Sequence, residues 1–415
     1  MSNTRRAHIS SSSLRTSIAA LAVVVVSSIV AIPAAHAQTF TVLYTFTGGS
    51  DGSLPTTGLV KDAAGNLYGT TFRNGDPSCN VLFGSCGVVF KLDPSGSFTV
   101  LHSFVGKSDG AGPRDLIGDA SGALSGVTDN GGVRDCPAGC GVIFKVESGG
   151  TFIPLYSFTG FPDGRTPKSL TSDSAGNLYG ITQLGGAFGS GSVFEFDSSG
   201  HESILYSFRG GANGSAPRGP LARDAAGNLY GTTTEGGDLS CGGGSGCGTA
   251  YKLTPTGEKT IIRRFHGGVD GSFPLGLVLG PDGNLYGVTG LGGSAACGCG
   301  TLFKLAPTGK FTVLHLFRLP DGTIPTPIVI DSAGNIYGAN HSGGGPRTGG
   351  TVWKFDNTGT FTVLHRFVDP AGGFGPIGRL LVDADGNIYG TDSEGGNLPS
   401  ACGGVGCGVV FKITP

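Results

Sequence analysis

In the stretch Asp62-Ala63-Ala64-Gly65-Asn66-Leu67-Tyr68-Gly69, the last four residues form a phrase that keeps returning. It recurs at Asn177-Leu178-Tyr179-Gly180, Asn228-Leu229-Tyr230-Gly231 and Asn284-Leu285-Tyr286-Gly287. Isoleucine replaces leucine at Asn335-Ile336-Tyr337-Gly338 and Asn387-Ile388-Tyr389-Gly390, and Ala123-Leu124-Ser125-Gly126 is a degenerate copy. The first residues of successive copies are 57, 54, 51, 56, 51 and 52 positions apart. A second phrase follows each copy. It is Gly87-Val88-Val89-Phe90-Lys91-Leu92 in the first, with Phe144, Phe194, Tyr251, Phe303, Trp353 and Phe411 at the aromatic position of the others. A third follows that, Phe98-Thr99-Val100-Leu101-His102-Ser103-Phe104 and its relatives.

Each unit reads as four short strands. Strand A is Gly58-Leu59-Val60-Lys61 and strand B runs from Asn66 to Thr71. Asp62-Ala63-Ala64-Gly65 between them is a tight turn, opened by a carboxylate that caps backbone donors and closed by glycine. Strand C is Val88 to Leu92, with alternate residues on one face. Asp93-Pro94-Ser95-Gly96 turns the chain into strand D, Phe98 to Phe104. Helical periodicity is absent. Seven such units predict an all-β chain, a seven-bladed β-propeller of four-stranded blades. Its ends fit closure: Phe40 to Phe46 is a D strand without a unit, and Val409 to Ile413 is a C strand lacking one. The N-terminal strand is therefore expected to complete the C-terminal blade and leave only short edges. An open solenoid would leave that first strand unexplained.

Composition agrees. Glycine supplies 79 of 415 residues, beside 23 prolines and 25 phenylalanines, and only 13% of residues are charged. A disordered chain would be richer in charge and poorer in aromatics, and the glycines lack the collagen period. Residues 1–37 read as a secretory signal peptide: Arg5, Arg6 and Arg15, an apolar run from Ile18 to Ile32, then Ala35-His36-Ala37 as the cleavage site. The alternative, an uncleaved anchor, is disfavoured by the short run. Residues 38–415 form the single propeller domain, exported to the periplasm or secreted after cleavage behind Ala37. That part carries 24 basic and 29 acidic residues, net −5 with histidine neutral. With no basic run there is no footprint for nucleic acid or for anionic lipid, and the chain is expected to be monomeric.

The Gly-Asn-Leu-Tyr-Gly-Thr-Thr phrase, the Gly-Gly after it and the Gly-x-Val-Phe-Lys-Leu phrase resemble the Gloeo/Verruco tandem repeat. The resemblance covers essentially all of residues 38–415. It implies an exported bacterial protein, often one with a C-terminal surface anchor, and it implies no established reaction. This sequence stops at Pro415 inside the last blade without a sorting tail, which favours free secretion or periplasmic residence.

Ten cysteines fall into five close pairs: Cys79/Cys86, Cys136/Cys140, Cys241/Cys247, Cys297/Cys299 and Cys402/Cys407. Each pair sits between strands B and C, and an even count in an exported chain reads as disulfides. Such small loops contribute about 2 kcal/mol or less each. Zinc is the rival, but no histidine stands nearby in sequence. The Cys297-Gly298-Cys299 pair encloses one residue, a strained ring open to exchange.

The A–B and C–D turns share one face of a propeller and are minimal here. The B–C loops and D–A crossovers share the other; they are long and braced, so binding is expected there. The crossovers carry Asp51, Asp109, Asp163, Asp270 and Asp321, each before glycine, with Asn213 at the same place in a sixth. They are weak candidates for a calcium rim, against the plainer reading of repeated Asp-Gly turns; calcium needs more oxygens than one per blade. No other cofactor is expected. Residues that break the repeat in the B–C loops are the ligand-binding candidates: Arg73, Arg134, Asp135, Glu235, Asp238, His341, Arg347 and Glu394. The strand-D residues Tyr44, His102, Tyr156, Tyr206, Arg263, His315 and His365 read as packing.

No catalytic motif is present: no nucleophile elbow, no His-Glu-x-x-His, no phosphate loop, no dinucleotide fingerprint. The leading expectation is a non-catalytic binding module for a glycan or an extracellular protein. The alternative is a hydrolase, lactonase- or glycosidase-like, at the channel mouth, though Glu235 and Glu394 stand three blades apart, too far for a carboxylate pair. Three or more convergent carboxylates or imidazoles would favour the enzyme, and turn-capping aspartates alone the binding module. A surface spacer without a small ligand is the third possibility.

Overall fold

The computed structural model describes residues 38–79, 86–132, 136–345, 349–368, 370–396, 402, 404 and 406–415. The leader read at residues 1–37 lies outside them, as do Arg134, Asp135 and Arg347. The described chain forms seven antiparallel sheets in a ring, a seven-bladed β-propeller. Blade 1 is typical: Ser53–Pro55 and Val60–Lys61 together make strand A, then Leu67–Arg73, Val88–Leu92 and Phe98–Ser103. Blade 7 closes the ring. Its outer strand is Thr39–Thr45, paired antiparallel with Val409–Thr414 from Thr39↔Thr414 to Thr45↔Val409.

Strand A begins earlier than the sequence reading placed it. In blades 2, 3 and 4 it is continuous, at Ala111–Gly118, Arg165–Ser172 and Ser215–Arg223. In blades 1, 5, 6 and 7 it splits into two short pieces. The residue before the proline has a left-handed backbone in every blade: φ is 55° at Leu54, 59° at Thr166, 52° at Ala216, 63° at Phe273 and 57° at Ile324, with Gly112 and Gly375 at the other two. That conformation is costly for a side chain. Its return is a bond to the preceding blade: Leu54 N–H donates to the Cys407 carbonyl (3.0 Å), Gly112 to Cys86 (3.0 Å), Thr166 to Cys140 (2.9 Å) and Phe273 to Cys247 (3.1 Å). The acceptor is the second cysteine of a pair, so the disulfides brace a blade-to-blade contact as well as a loop. All five pairs are bonded, with Cα atoms 5.2 to 6.0 Å apart. In blade 3, which has no cysteine, Ser190 supplies the carbonyl to Ala216 (3.0 Å).

The repeated phrases now have physical reasons. Asp62 accepts the Asn66 N–H (2.9 Å), the Asn66 amide (2.7 Å) and the Tyr68 hydroxyl (3.0 Å), so the asparagine and tyrosine of the phrase serve the turn before them. Asp173, Asp224, Asp331 and Asp383 repeat this set. The glycine that ends the phrase lies under the strand-C aromatic ring. A Cβ at Gly180 would meet Phe194 at 2.3 Å, and one at Gly338 would meet Trp353 at 2.3 Å.

Those rings tie the blades together. The phenylalanine ending each D strand packs edge-on or tilted against the strand-C aromatic of the next blade. Ring centroids are 5.4 Å apart for Phe46–Phe90, 5.3 Å for Phe104–Phe144, 5.1 Å for Phe158–Phe194, 5.2 Å for Phe208–Tyr251, 5.3 Å for Phe265–Phe303 and Phe317–Trp353, and 5.4 Å for Phe367–Phe411. All fourteen side chains are buried, and such pairs add to the area they bury. The first pair joins blade 7 to blade 1, where Lys61 also bonds Asp383 at 2.7 Å.

Candidate functional site

Strand A is the inner edge of every blade, and one residue on it, directly after the proline, lines a common cavity. Going round the ring these residues are Thr56, Arg114, Lys168, Arg218, Leu275, Thr326 and Ile377. Because all seven blades contribute, the cavity is the central channel. It opens among the starts of the A strands and the ends of the B strands, on the loop face, and measures about 490 Å³. A second lining layer comes from strand B and includes Gln183 and His341. Below lies a narrower space of about 100 Å³ lined by Asp115, Ser169, Pro220 and Arg379 among others.

The lining is lopsided. The three cations come from blades 2, 3 and 4, the blades with an uninterrupted strand A. Asp129, on strand B of blade 2, accepts from Arg114 Nε at 2.7 Å and from Lys168 Nζ at 2.8 Å, and its side chain is only 8% exposed. A carboxylate this buried would be costly alone, and the two cations offset that cost. Lys168 is itself pushed down to about 8: burial is the main cause, Asp129 resists it, and the Arg114 and Arg218 charges add to it. The Arg114 guanidinium sits 4.0 Å from the centre of the Phe72 ring, and Arg218 5.5 Å from that of Phe273. Blades 5 to 7 present Leu275, Thr326 and Ile377 instead, with Ile324 beside them, an uncharged and mostly apolar set. Deeper, the half-buried Asp115 carboxyl accepts the N–H groups of Leu116 (3.0 Å) and Leu170 (2.9 Å). Burial raises its pKa, with Arg379 opposing.

Of the residues singled out from the sequence, His341 lines this cavity. Its Nδ1 lies 2.9 Å from the Ser342 hydroxyl, and burial lowers its pKa against the opposing charge of Glu394. Glu394 and Glu235 end the B strands of blades 7 and 4. Glu235 is exposed and accepts from Ser215 Oγ at 3.3 Å, and Arg73 is exposed at the end of blade 1's strand B. Asp238 holds its own loop, bonding the Ser240 hydroxyl at 2.6 Å and His266 Nδ1 at 2.6 Å. Those bonds, that of Ser240 foremost, hold it down at about 2.

The crossover carboxylates are occupied in place. Asp51 accepts from the Thr47 N–H (2.8 Å), the Thr47 hydroxyl (2.6 Å), the Gly49 N–H (3.2 Å) and the Tyr44 hydroxyl (3.1 Å). Asp163 does the same with Thr159 and Tyr156. Asp109 pairs with His102, Asp270 with Arg263 and Asp321 with His315. The strand-D partners also face the neighbouring blade: His102 stacks on Phe152 at 3.6 Å, His315 on Phe361 at 3.9 Å and Tyr44 on Phe98 at 4.1 Å. Among the described residues no three His, Cys, Asp or Glu side chains gather as a metal would require.

A groove of about 530 Å³ between blades 2 and 3, on the hairpin-turn face, is lined by Asp119, Asp173 and Asp197. Each of those carboxylates already caps its own turn. The channel mouth is where polar groups converge without being used up.

Solved structures share the fold. A catalytically inactive virginiamycin B lyase from Staphylococcus aureus, with quinupristin, superimposes with TM-score 0.60 at 14% identity, over 91% of this chain and 99% of that one. The extracellular domain of a B. thetaiotaomicron protein thought to be a hybrid two-component system gives 0.55 at 15%, over 91% of this chain and 41% of that one. A Bacteroides uniformis protein thought to be a 6-phosphogluconolactonase gives 0.50 at 14%, over 73% and 84%. At such identities these matches speak for the fold alone. No curated protein matches the chain in sequence. The repeated phrases, however, fit one family model twice over, at residues 27–245 and 239–415, and the chain belongs to that family, the Gloeobacter/Verrucomicrobia repeat.

Proposed function

We propose that this propeller is an exported, non-catalytic binding module whose ligand sits in the channel mouth on the loop face. The observation that carries this is the cation arc of Arg114, Lys168 and Arg218, set in a cavity within the range of small-ligand sites. A well of that shape suits a small molecule or the end of a glycan better than a flat protein surface. The lining also argues for binding over chemistry. Its carboxylate Asp129 is tied to two cations, which removes it as a general base, and the crossover aspartates are spent on turns. The five disulfides suit an oxidising compartment, as export would provide.

A hydrolase at the same mouth is the second reading, and it draws on His341, an imidazole kept neutral by burial and within reach of the Glu394 charge. One experiment separates the two. Thermal unfolding is followed across a panel of glycans, organic acids and lactones, with the wild type and with Ile377→Trp, which fills the mouth. A native-state ligand raises the midpoint by mass action. Binding predicts a shift for the wild type that Ile377→Trp loses, with the ligand recovered unchanged. Turnover of a lactone or ester that His341→Ala abolishes would establish the hydrolase instead. Shifts that survive Ile377→Trp would move the site to the rim loops.

A further inference from the structure

The geometry points to a small amphiphilic oxyanion as the ligand of the channel mouth: a carboxylate, sulfate or phosphate group carried on an apolar body. This rests on the binding reading above and specifies its chemistry.

Charge is the first argument. Among the described residues Asp129 is the one carboxylate paired with the three cations of the arc, and it bonds two of them, so the arc carries more positive charge than its ion pairs neutralise. Asp129 uses Arg114 only through Nε, and among the described residues no protein acceptor meets the Arg218 guanidinium. Arginine presents its donors as a planar fork that matches the two oxygens of an oxyanion. The Arg114 and Arg218 guanidinium carbons lie over the Phe72 and Phe273 rings, 4.0 and 5.5 Å from their centres, contacts that take no oxygen acceptor from a ligand.

Two hydroxyls supply the second argument. Thr56 and Thr326 occupy the same ring position as the cations, in blades 1 and 6, and line the same cavity. Both Oγ1 atoms are buried and have no hydrogen-bond partner, and Thr326 as a residue is only 5% exposed. Buried hydroxyls are normally paired. Neither oxygen is accessible as it stands, so a rotation about χ1 is what would turn these unpaired hydroxyls toward a ligand oxygen beside the spare cations.

The third argument sets the other half of the ligand. Opposite the arc, Leu275, Ile324 and Ile377 offer no hydrogen bond, and Ile324 is half exposed in the free protein. Water on that wall is released when an apolar body covers it. A bare inorganic ion would use the arc and waste the wall. A neutral sugar would use neither well, and a cation is repelled.

Titration calorimetry with hexyl phosphate, hexyl sulfate, hexanoate, hexylammonium, 1-hexanol and inorganic phosphate tests this directly. At least one hexyl anion should bind at least about tenfold more tightly than hexanol, hexylammonium or inorganic phosphate, and less tightly in high salt. Arg218→Gln should weaken that anion roughly tenfold or more while leaving hexanol unchanged, and Leu275→Asn should weaken the hexyl anion toward inorganic phosphate. The order among the three anions identifies the head group. Hexanol matching the anions, or Arg218→Gln sparing them, would sink the oxyanion while leaving the pocket standing. Inorganic phosphate matching hexyl phosphate would remove the apolar half. If no probe binds here and Ile377→Trp blocks nothing from the wider panel, the pocket itself is wrong.

Discussion

Two rings of seven residues run through this molecule, and they obey different rules. Between the blades, the strand-C ring holds five phenylalanines, one tyrosine and one tryptophan, each lying over a glycine and each met by a phenylalanine of the preceding blade. Around the channel, the residue after the proline is threonine, arginine, lysine, arginine, leucine, threonine and isoleucine in turn. Both rings arise from one duplicated unit. The first stayed uniform because the same ring must fill the same gap at every interface. The second has the channel on one side, where no neighbouring blade must be matched, so the position accepts residues of different kinds. A repeat protein thus separates scaffold from site by position, and uniformity marks the scaffold.

The largest expected effect falls on the uniform ring. Phe144→Ala leaves a void at the blade 1–blade 2 junction and should cost about 3–5 kcal/mol in urea unfolding. A loss below about 1 kcal/mol, the range of ordinary exposed substitutions, would mean the aromatic ring does not hold the blades.

A smaller effect sits where the outer rim departs from its pattern. At four interfaces an aromatic ring stacks on the neighbouring strand-D residue, but Glu202 takes that place beside Tyr156. Burial raises Glu202 to about 7, the Asp163 charge adds to this, and the Tyr156 hydroxyl opposes it. Its pKa is thus higher folded than unfolded, so the native state holds the extra proton and loses stability as pH rises from about 4.5 to about 7. Glu202→Gln should flatten that slope, gaining on the order of 2 kcal/mol over wild type at pH 8 and little at pH 4. Parallel stability profiles for the two proteins would show that the site does not titrate in this window.

The smallest effect belongs to the variable ring. Lys168 titrates near 8 among Asp129, Arg114 and Arg218, so affinity for an anion should fall as pH rises past that value, by roughly threefold to tenfold by calorimetry. Lys168→Arg should bind with no such step. A step that persists in that variant would assign the titration elsewhere.

The fold was legible because its causes are local and repeated. Asp62, Asn66 and Tyr68 make one turn with three short bonds, and that turn recurs often enough to be seen. The cation arc was harder to see for a specific reason. Starting strand A at Gly58 left Thr56, and with it Arg114, Lys168 and Arg218, among the crossover residues; the left-handed residue before the proline reads as a loop although the chain is already in the sheet. Aligning the units on that proline shows three cations in consecutive blades, a signal present in the sequence from the start. His341, which breaks the B–C pattern, does line the cavity. Glu235 and Asp238 break it too, and in the structure they bond Ser215 and Ser240 rather than line that cavity.

The pairing of Thr39–Thr45 with Val409–Thr414 carries a consequence for how the molecule comes into being. During synthesis Thr39–Thr45 must wait for Val409–Thr414, with the rest of the propeller between them. Contacts that distant slow folding, because the entropy of bringing the ends together comes before any reward. Until then blade 1 lacks the Phe46 ring and the Cys407 carbonyl that would hold it, so no intermediate ring is complete. The protein that emerges has no first blade and no last.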